Sequence, residues 1–288
     1  MNITTPQLSL LQSVISSEKS GIGNAGNITL KVDNLIVRDG SQIGTGTFAG
    51  SGNAGDLIIT ATDSVDIAGS FTGLFSSVQP GSTGNGGNLN ITTSQLNLAQ
   101  NAVISVTAVG NGNAGNITLK VDNLSVRDGS QIQTGTITGG NGGDLTIIAA
   151  ESVEIAGFSN NGIPSTLLSA ADFSSTGDAG DLNITSNQIN IRDGAGISVT
   201  YFGYGNAGNL KVNADTILVD NQAGFAADVV AGNKGNINFN SKFIQLRRNS
   251  RITTNAIGTA NGGNITINSP VIAGFENSDI RANADEGN

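Results

Sequence analysis

Residues 23–43, "GNAGNITLKVDNLIVRDGSQI", recur at 112–132 with one change, Ile36 becoming Ser125. The opening motif returns along the whole chain. Its first glycine stands at Gly23, Gly52, Gly84, Gly112, Gly140, Gly177, Gly205 and Gly232, with Ala260 in the ninth slot. Successive copies lie 27 to 37 residues apart and most often 28. A unit that short cannot bury a core by itself, so copies must stack and share one; solenoids and propellers are the arrays that do this. A second level of repetition sits on the first. "GDLIITATDSVDIAGS" from Gly55 is answered by "GDLTIIAAESVEIAGF" from Gly143, so units run in triplets by nested duplication.

Inside a unit the apolar residues alternate, which is the pattern of strands with one buried face. The first unit has Ile28, Leu30, Leu35, Val37 and Ile43 at these positions, and the fourth has Ile117, Leu119, Leu124, Val126 and Ile132. Three short strands per unit are expected, and the Ile36/Ser125 difference falls at an outward position. Every unit also carries a second glycine three residues after the first slot: Gly26, Gly55, Gly87, Gly115, Gly143, Gly180, Gly208, Gly235 and Gly263. Such regularity implies a turn conformation or a close approach that a Cβ would block. The Asn between them (Asn24, Asn53, Asn85 and their equivalents, Asp178 excepted) tolerates left-handed geometry and can form an amide ladder between stacked units. "RDG" at Arg38, Arg127 and Arg192 marks another corner.

These features predict an all-β fold, a right-handed parallel β-helix of nine to ten coils, the hand following the crossover rule. A propeller blade needs about 40 residues and antiparallel strands, so 28 is too few. Residues 1–288 are expected to form one elongated domain without linkers, on the order of 45 Å long. The opening "LSLLQSVISS" reads as the end of a preceding coil and the closing "GN" as the start of another, so a fragment of a longer repeat protein is expected.

Composition narrows the partners. The formal net charge of -9 argues against nucleic acid and anionic membranes. No apolar run reaches the roughly 18 residues of a membrane span, so membrane insertion is not expected. Cysteine is absent, which excludes disulfides and thiolate metal sites.

The recurrent "GNAGNITL", "GNGGNLNI" and "GNGGDLTI", followed by "DNLIVRDGSQI", resemble the repeat region of filamentous haemagglutinin-like exoproteins of two-partner secretion, of the cyanobacterial type. The resemblance covers residues 4–288 and rests on the ninefold motif. It implies a secreted or cell-surface fibre acting in adhesion or aggregation, with cell-surface glycans or proteins as partners and end-to-end self-association. It also implies export of the parent chain through an outer-membrane partner pore. It brings no catalytic residues, and the family's secretion domain is missing here.

Candidate binding residues come from departures from the repeat. Two long units, 69–83 and 157–176, are expected to protrude on one side, about 14 Å apart, with Phe71, Phe75, Phe158 and Phe173 as a contact ridge or as anchors that tuck the loops down. "TYFGYG" supplies Tyr201 and Tyr204, a glycan platform or corner packing. A carbohydrate-binding or carbohydrate-active β-helix, polysaccharide lyase-like or glycosidase-like, is the alternative function. Such enzymes need two or three acidic groups, or acid plus Arg/Lys, within about 5 to 10 Å. Asp39, Asp128 and Asp193, like Asp56, Asp144 and Asp181, sit instead in repeated slots, and the chain has no His as general base. The reading is therefore non-enzymatic.

No cofactor or metal is called for. The nonapeptide calcium roll has a different order and period, which leaves calcium between aligned Asp as the remaining metal alternative. Arg247, Arg248 and Arg251 are expected to offset acidic neighbours on adjacent coils. A surface-templating solenoid would need outward threonine pairs, which Thr45, Thr47, Thr134 and Thr136 suggest and Ala227 and Ala282 interrupt.

Overall fold

Strand-length apolar alternation without a helical period gives an all-β chain. The computed structural model describes residues 1–172, 175–201, 205–230, 235–257 and 260–284. Its strands form two parallel sheets, one of twelve strands and one of ten, in which each coil pairs with the next. Coil 1 is typical. A long strand, Ile28–Arg38, belongs to the first sheet and a short one, Gln42–Phe48, to the second. The chain is a β-solenoid of about ten turns, and parallel ladders throughout exclude a propeller.

The three strand segments of the sequence pattern are all present, but the first two usually join. In coil 1 the ladder shifts register between Val32 and Asn34, so the long strand turns a bend there without ending. In the first and last turns the segments separate, as Asn2–Thr4 and Gln7–Leu11, and as Ile265–Asn268 and Ile272–Gly274. Coils 2 and 5 take an extra residue at this bend, giving the twelve-residue strands Leu57–Ala68 and Leu145–Ala156.

Ile28, Leu30, Leu35, Val37 and Ile43 are fully buried, as are their equivalents in coil 4 apart from a trace at Leu124. One apolar cluster runs from Leu10 to Ile252 without a break. Phe225 and Phe239 meet across it edge to face, 4.9 Å between centroids. Ile36 and Ser125 are both half-exposed, as an outward position requires.

The glycine corner is explained by crowding. A Cβ on Gly143 would lie 1.8 Å from the carbonyl oxygen of Gly115, and one on Gly55 2.2 Å from that of Gly26. None of the described motif asparagines has positive φ, so the left-handed expectation is not met at this corner. Their amides work as acceptors. Asn24 Oδ1 accepts the Asn53 N–H at 2.9 Å, Asn53 Oδ1 accepts the Asn85 N–H at 2.8 Å, and the series continues through Asp178 to Asn206. A second ladder, three residues on, runs from Asn27 through Asp56, Asn88, Asn116, Asp144 and Asp181 to Asn209. An Asp carboxylate accepts as an Asn amide oxygen does, which is why the two residues exchange in these slots.

The threonine pairs face inward. Thr45, Thr47, Thr134 and Thr136 are all buried, so they form no outward templating face. Thr45 donates to the Gly55 carbonyl, and Thr134 to that of Gly143 at 2.6 Å. Ser169 and Thr254 make the same bond to Gly180 and Gly263.

Candidate functional site

Left-handed backbone gathers at the corner between long and short strands. Asp39 and Gly40 have φ of 53° and 84°, Gln100 and Asn101 59° and 65°, and Asp128 and Gly129 56° and 78°. Paired positive φ makes a tight turn, for which Asp-Gly and Asn are suited. The turn is fixed from beneath by a hydroxyl. Thr72 Oγ1 accepts the Gly40 N–H at 2.8 Å and Ser165 Oγ the Gly129 N–H at 3.0 Å.

Both long units depart from the repeat here, although less of each protrudes than its length suggests. Within 69–83, Gly73–Val78 is an ordinary short strand, and within 157–176 so is Thr166–Ala171. The corner segments are 69–72 and 157–165, in coils 2 and 5, three coils apart on one edge of the rod. In coil 5 the chain closes a small hairpin. Phe158 bridges Pro164 antiparallel, the Ser159 N–H donates to the Ile163 carbonyl at 2.8 Å, and the Gly162 N–H donates to the Ser159 carbonyl at 2.9 Å.

The expected phenylalanine ridge is divided. Phe71 is 84% exposed at the coil-2 corner, with φ of 59°, an uncommon backbone for a bulky side chain. Phe158, 49% exposed, lays its ring tip over Gly194, where a Cβ would meet it at 2.0 Å. Phe75 is elsewhere, half-buried on the outer face of the short-strand sheet, its ring edge close over Gly73. Phe173 and Tyr204 lie outside the described residues. Tyr201 is described by its backbone, the last residue of the short strand Gly196–Tyr201.

Between the two corner segments is a cleft of about 440 Å³ that sequence reasoning did not anticipate. Ser70, Gln100, Asn101, Asp128, Phe158 and Asn160 line it, drawn from four successive coils. Asn101 Nδ2 reaches Ser70 Oγ at 3.4 Å, while Asn101 Oδ1 is buried without a hydrogen-bond partner. Asp128 is more than half exposed, and Arg127 Nε stands 3.9 Å from it. A neighbouring dent of about 150 Å³ adds Asp66, Arg38 and Arg127 around the same Asp128. Larger hollows of about 520 and 570 Å³ lie along the bend of coils 5–9 and over the short strands of coils 5–8. Their floors are repeat positions such as Ala149, Ala214, Gly196 and Gly224.

Farther along this edge the charges pair. Arg192 Nη2 is 2.6 Å from Glu154 and its Nη1 2.6 Å from Asp193. Arg248 clasps Asp220 through Nε at 2.7 Å and Nη2, and Arg247 Nε lies 3.5 Å from Glu276. These contacts match the expected offsetting of Arg247 and Arg248 by acidic neighbours, whereas Arg251 makes no ion pair among the described residues. Asp193 is held below the usual carboxylate range, chiefly by the Asn221 amide, and Asp220 by Arg248. Asp228, on the short strand Gly224–Val229, moves the other way because burial penalises its charge, although Asn255 Nδ2 donates to it at 2.7 Å. Among the described residues no group of three or more acidic, His or Cys side chains converges as a metal site would require. No described helix is long and apolar enough to cross a membrane.

Compared with known protein families, curated proteins and solved structures, the chain finds no match.

Proposed function

We propose that this chain is a rigid segment of a secreted or cell-surface fibre of the filamentous haemagglutinin-like kind. In this reading the solenoid is a stalk that presents corner features at fixed intervals for adhesion or aggregation. The observation that carries it is the single core from Leu10 to Ile252, roofed by two hydrogen-bonded side-chain ladders. A rod without internal joints holds its surface features at set spacing, so weak contacts made together reinforce one another through effective concentration. Export of the parent chain through an outer-membrane pore and end-to-end association belong to the same reading and rest on the sequence resemblance.

The alternative, a carbohydrate-active β-helix, draws on Asp66 and Asp128 beside Arg38 and Arg127. Against it, an acid–arginine–acid arrangement recurs as Glu154, Arg192 and Asp193, and recurrence is the mark of structural use. One experiment separates the readings. Labelled chain is applied to whole cells, with and without chelator, beside a variant whose segments 69–72 and 157–165 are shortened to the length of the coil-1 corner. Adhesion that falls with the shortened corners supports the display rod. Release of sugar ends from polysaccharide by the unmodified chain would replace it with the enzymatic reading.

A further inference from the structure

We propose that the corner groove between Ser70 in coil 2 and Phe158 in coil 5 binds an uncharged oligosaccharide. The inference rests on reading the chain as a display rod and names the ligand class of that display.

Among the described residues the groove departs from the repeat that governs the other corners. The hairpin Phe158–Pro164 holds the one antiparallel bridge among the described residues, and it supplies the wall that other corners lack. Three coil spacings set a length of about 14 Å, which suits a short chain of sugar rings more than one small molecule. The floor offers hydroxyl and amide groups from Ser70, Gln100, Asn101 and Asn160, and the exposed carboxylate of Asp128 accepts hydroxyl protons. The Asn101 amide is loosely held, with one long bond to Ser70 and an oxygen without a partner, so turning toward a ligand hydroxyl gains it a bond. Phe158 presents an apolar ring, fixed at its tip by Gly194, for the C–H face of a pyranose.

Other ligands fit less well. A divalent cation needs several charged oxygens, and this cleft has one carboxylate. An organic cation needs an aromatic cage, and the cleft has one aromatic wall. A peptide strand would need free backbone groups, but the Gly69 and Asn101 N–H groups already donate to Ala99 and Asp128 of the next coil. An acidic sugar would face Asp128 in a chain of net charge -9.

The chain contains no tryptophan, so Phe158→Trp creates a single fluorescent reporter in the groove. That variant, the unmodified chain, Phe158→Ala, Asp128→Ala and a control, Phe75→Ala on another face, are titrated with neutral oligosaccharides, uronate oligosaccharides and a peptide library. Melting curves confirm that each variant is folded. The expected result is a shift of the tryptophan emission of Phe158→Trp with a neutral oligosaccharide, at least tenfold weaker binding in Phe158→Ala and Asp128→Ala, and no change in Phe75→Ala. No emission shift and no retention of any neutral sugar overturns the proposal, as does preferential binding of uronates or peptides. Cell adhesion that persists in Phe158→Ala and Asp128→Ala without sugar binding sinks the groove and leaves the display rod standing. Sugar binding without cell adhesion does the reverse.

Discussion

Inside the short strands, polarity and parity disagree about where a threonine belongs. Counting by twos from the buried Ile43 places Thr45 and Thr47 inward, whereas their hydroxyls argue for water. Parity wins because the buried hydroxyl of Thr45 finds the Gly55 carbonyl, and Thr134 that of Gly143. Thr47 and Thr136 share the interior, but their hydroxyls have no partner. The two kinds of threonine should answer oppositely to one substitution. Thr134→Val strands a buried carbonyl and is expected to cost about 1–3 kcal/mol. Thr136→Val removes an unsatisfied hydroxyl and is expected to be neutral or stabilising by about 1 kcal/mol. Denaturant unfolding of the two variants checks this, and equal losses would refute it. Glycine gives a parallel contrast. Gly143→Ala must push two coils apart and should cost more than the roughly 1–3 kcal/mol typical of overpacking. Gly40→Ala meets open space at φ of 84° and should cost about 1–2 kcal/mol, the strain of a left-handed residue. Similar costs for the two in the same unfolding assay would sink the close-approach explanation.

Corners differ from strands in how far the sequence reveals them. The core residues and the coil period are legible because each is stated nine times. The second Asn/Asp ladder is legible in principle, since Asp56, Asp144 and Asp181 fill slots that elsewhere hold Asn. The hairpin at 159–163 is not, because it occurs once and has no repeat to be measured against. The union of the first two strand segments is also hidden, since a bend with one shifted residue keeps the same alternation on either side. Charge at the corners and on one short strand carries a pH signature with two signs. Asp193 and Asp220 have lowered values, so the stability they contribute is present above the ordinary carboxylate pKa of about 3.9 and is lost as pH falls through their folded values. Asp228 is raised, so its contribution is present below that pKa and is lost as pH rises through its folded value. Asp228→Asn keeps an oxygen for Asn255 and removes the desolvated charge. Its midpoint of thermal unfolding is expected above that of the unmodified chain at pH 7 and equal to it near pH 3. A gain at both pH values would show that packing, not charge, is responsible.

At the scale of the rod, each coil contacts only its neighbours, so stability is a sum of coil and interface contributions with no distant contact to tie the ends together. The outermost described turns also bury least. Along Val14–Ser20 residues alternate between exposed and half-exposed, and along Ile265–Asn268 none is buried, whereas Ile117–Arg127 in coil 4 buries every core position fully or nearly so. The central coils are covered on both sides by paired strands and by both ladders, and opening one there breaks two interfaces at once. In this chain amide exchange should therefore progress from the two outer turns inward, with the longest protection in coils 3 to 7. Removing residues 260–288 should lower the denaturant dependence of unfolding in proportion to the surface lost and leave protection in coils 3 to 6 nearly unchanged. Uniform exchange along the rod, or loss of protection in coil 4 on that deletion, would mean that the solenoid folds as one indivisible unit. A solenoid built from additive neighbours is the alternative these measurements select, because only such a solenoid can fray at an edge and still hold the coil-2 to coil-5 corner in place.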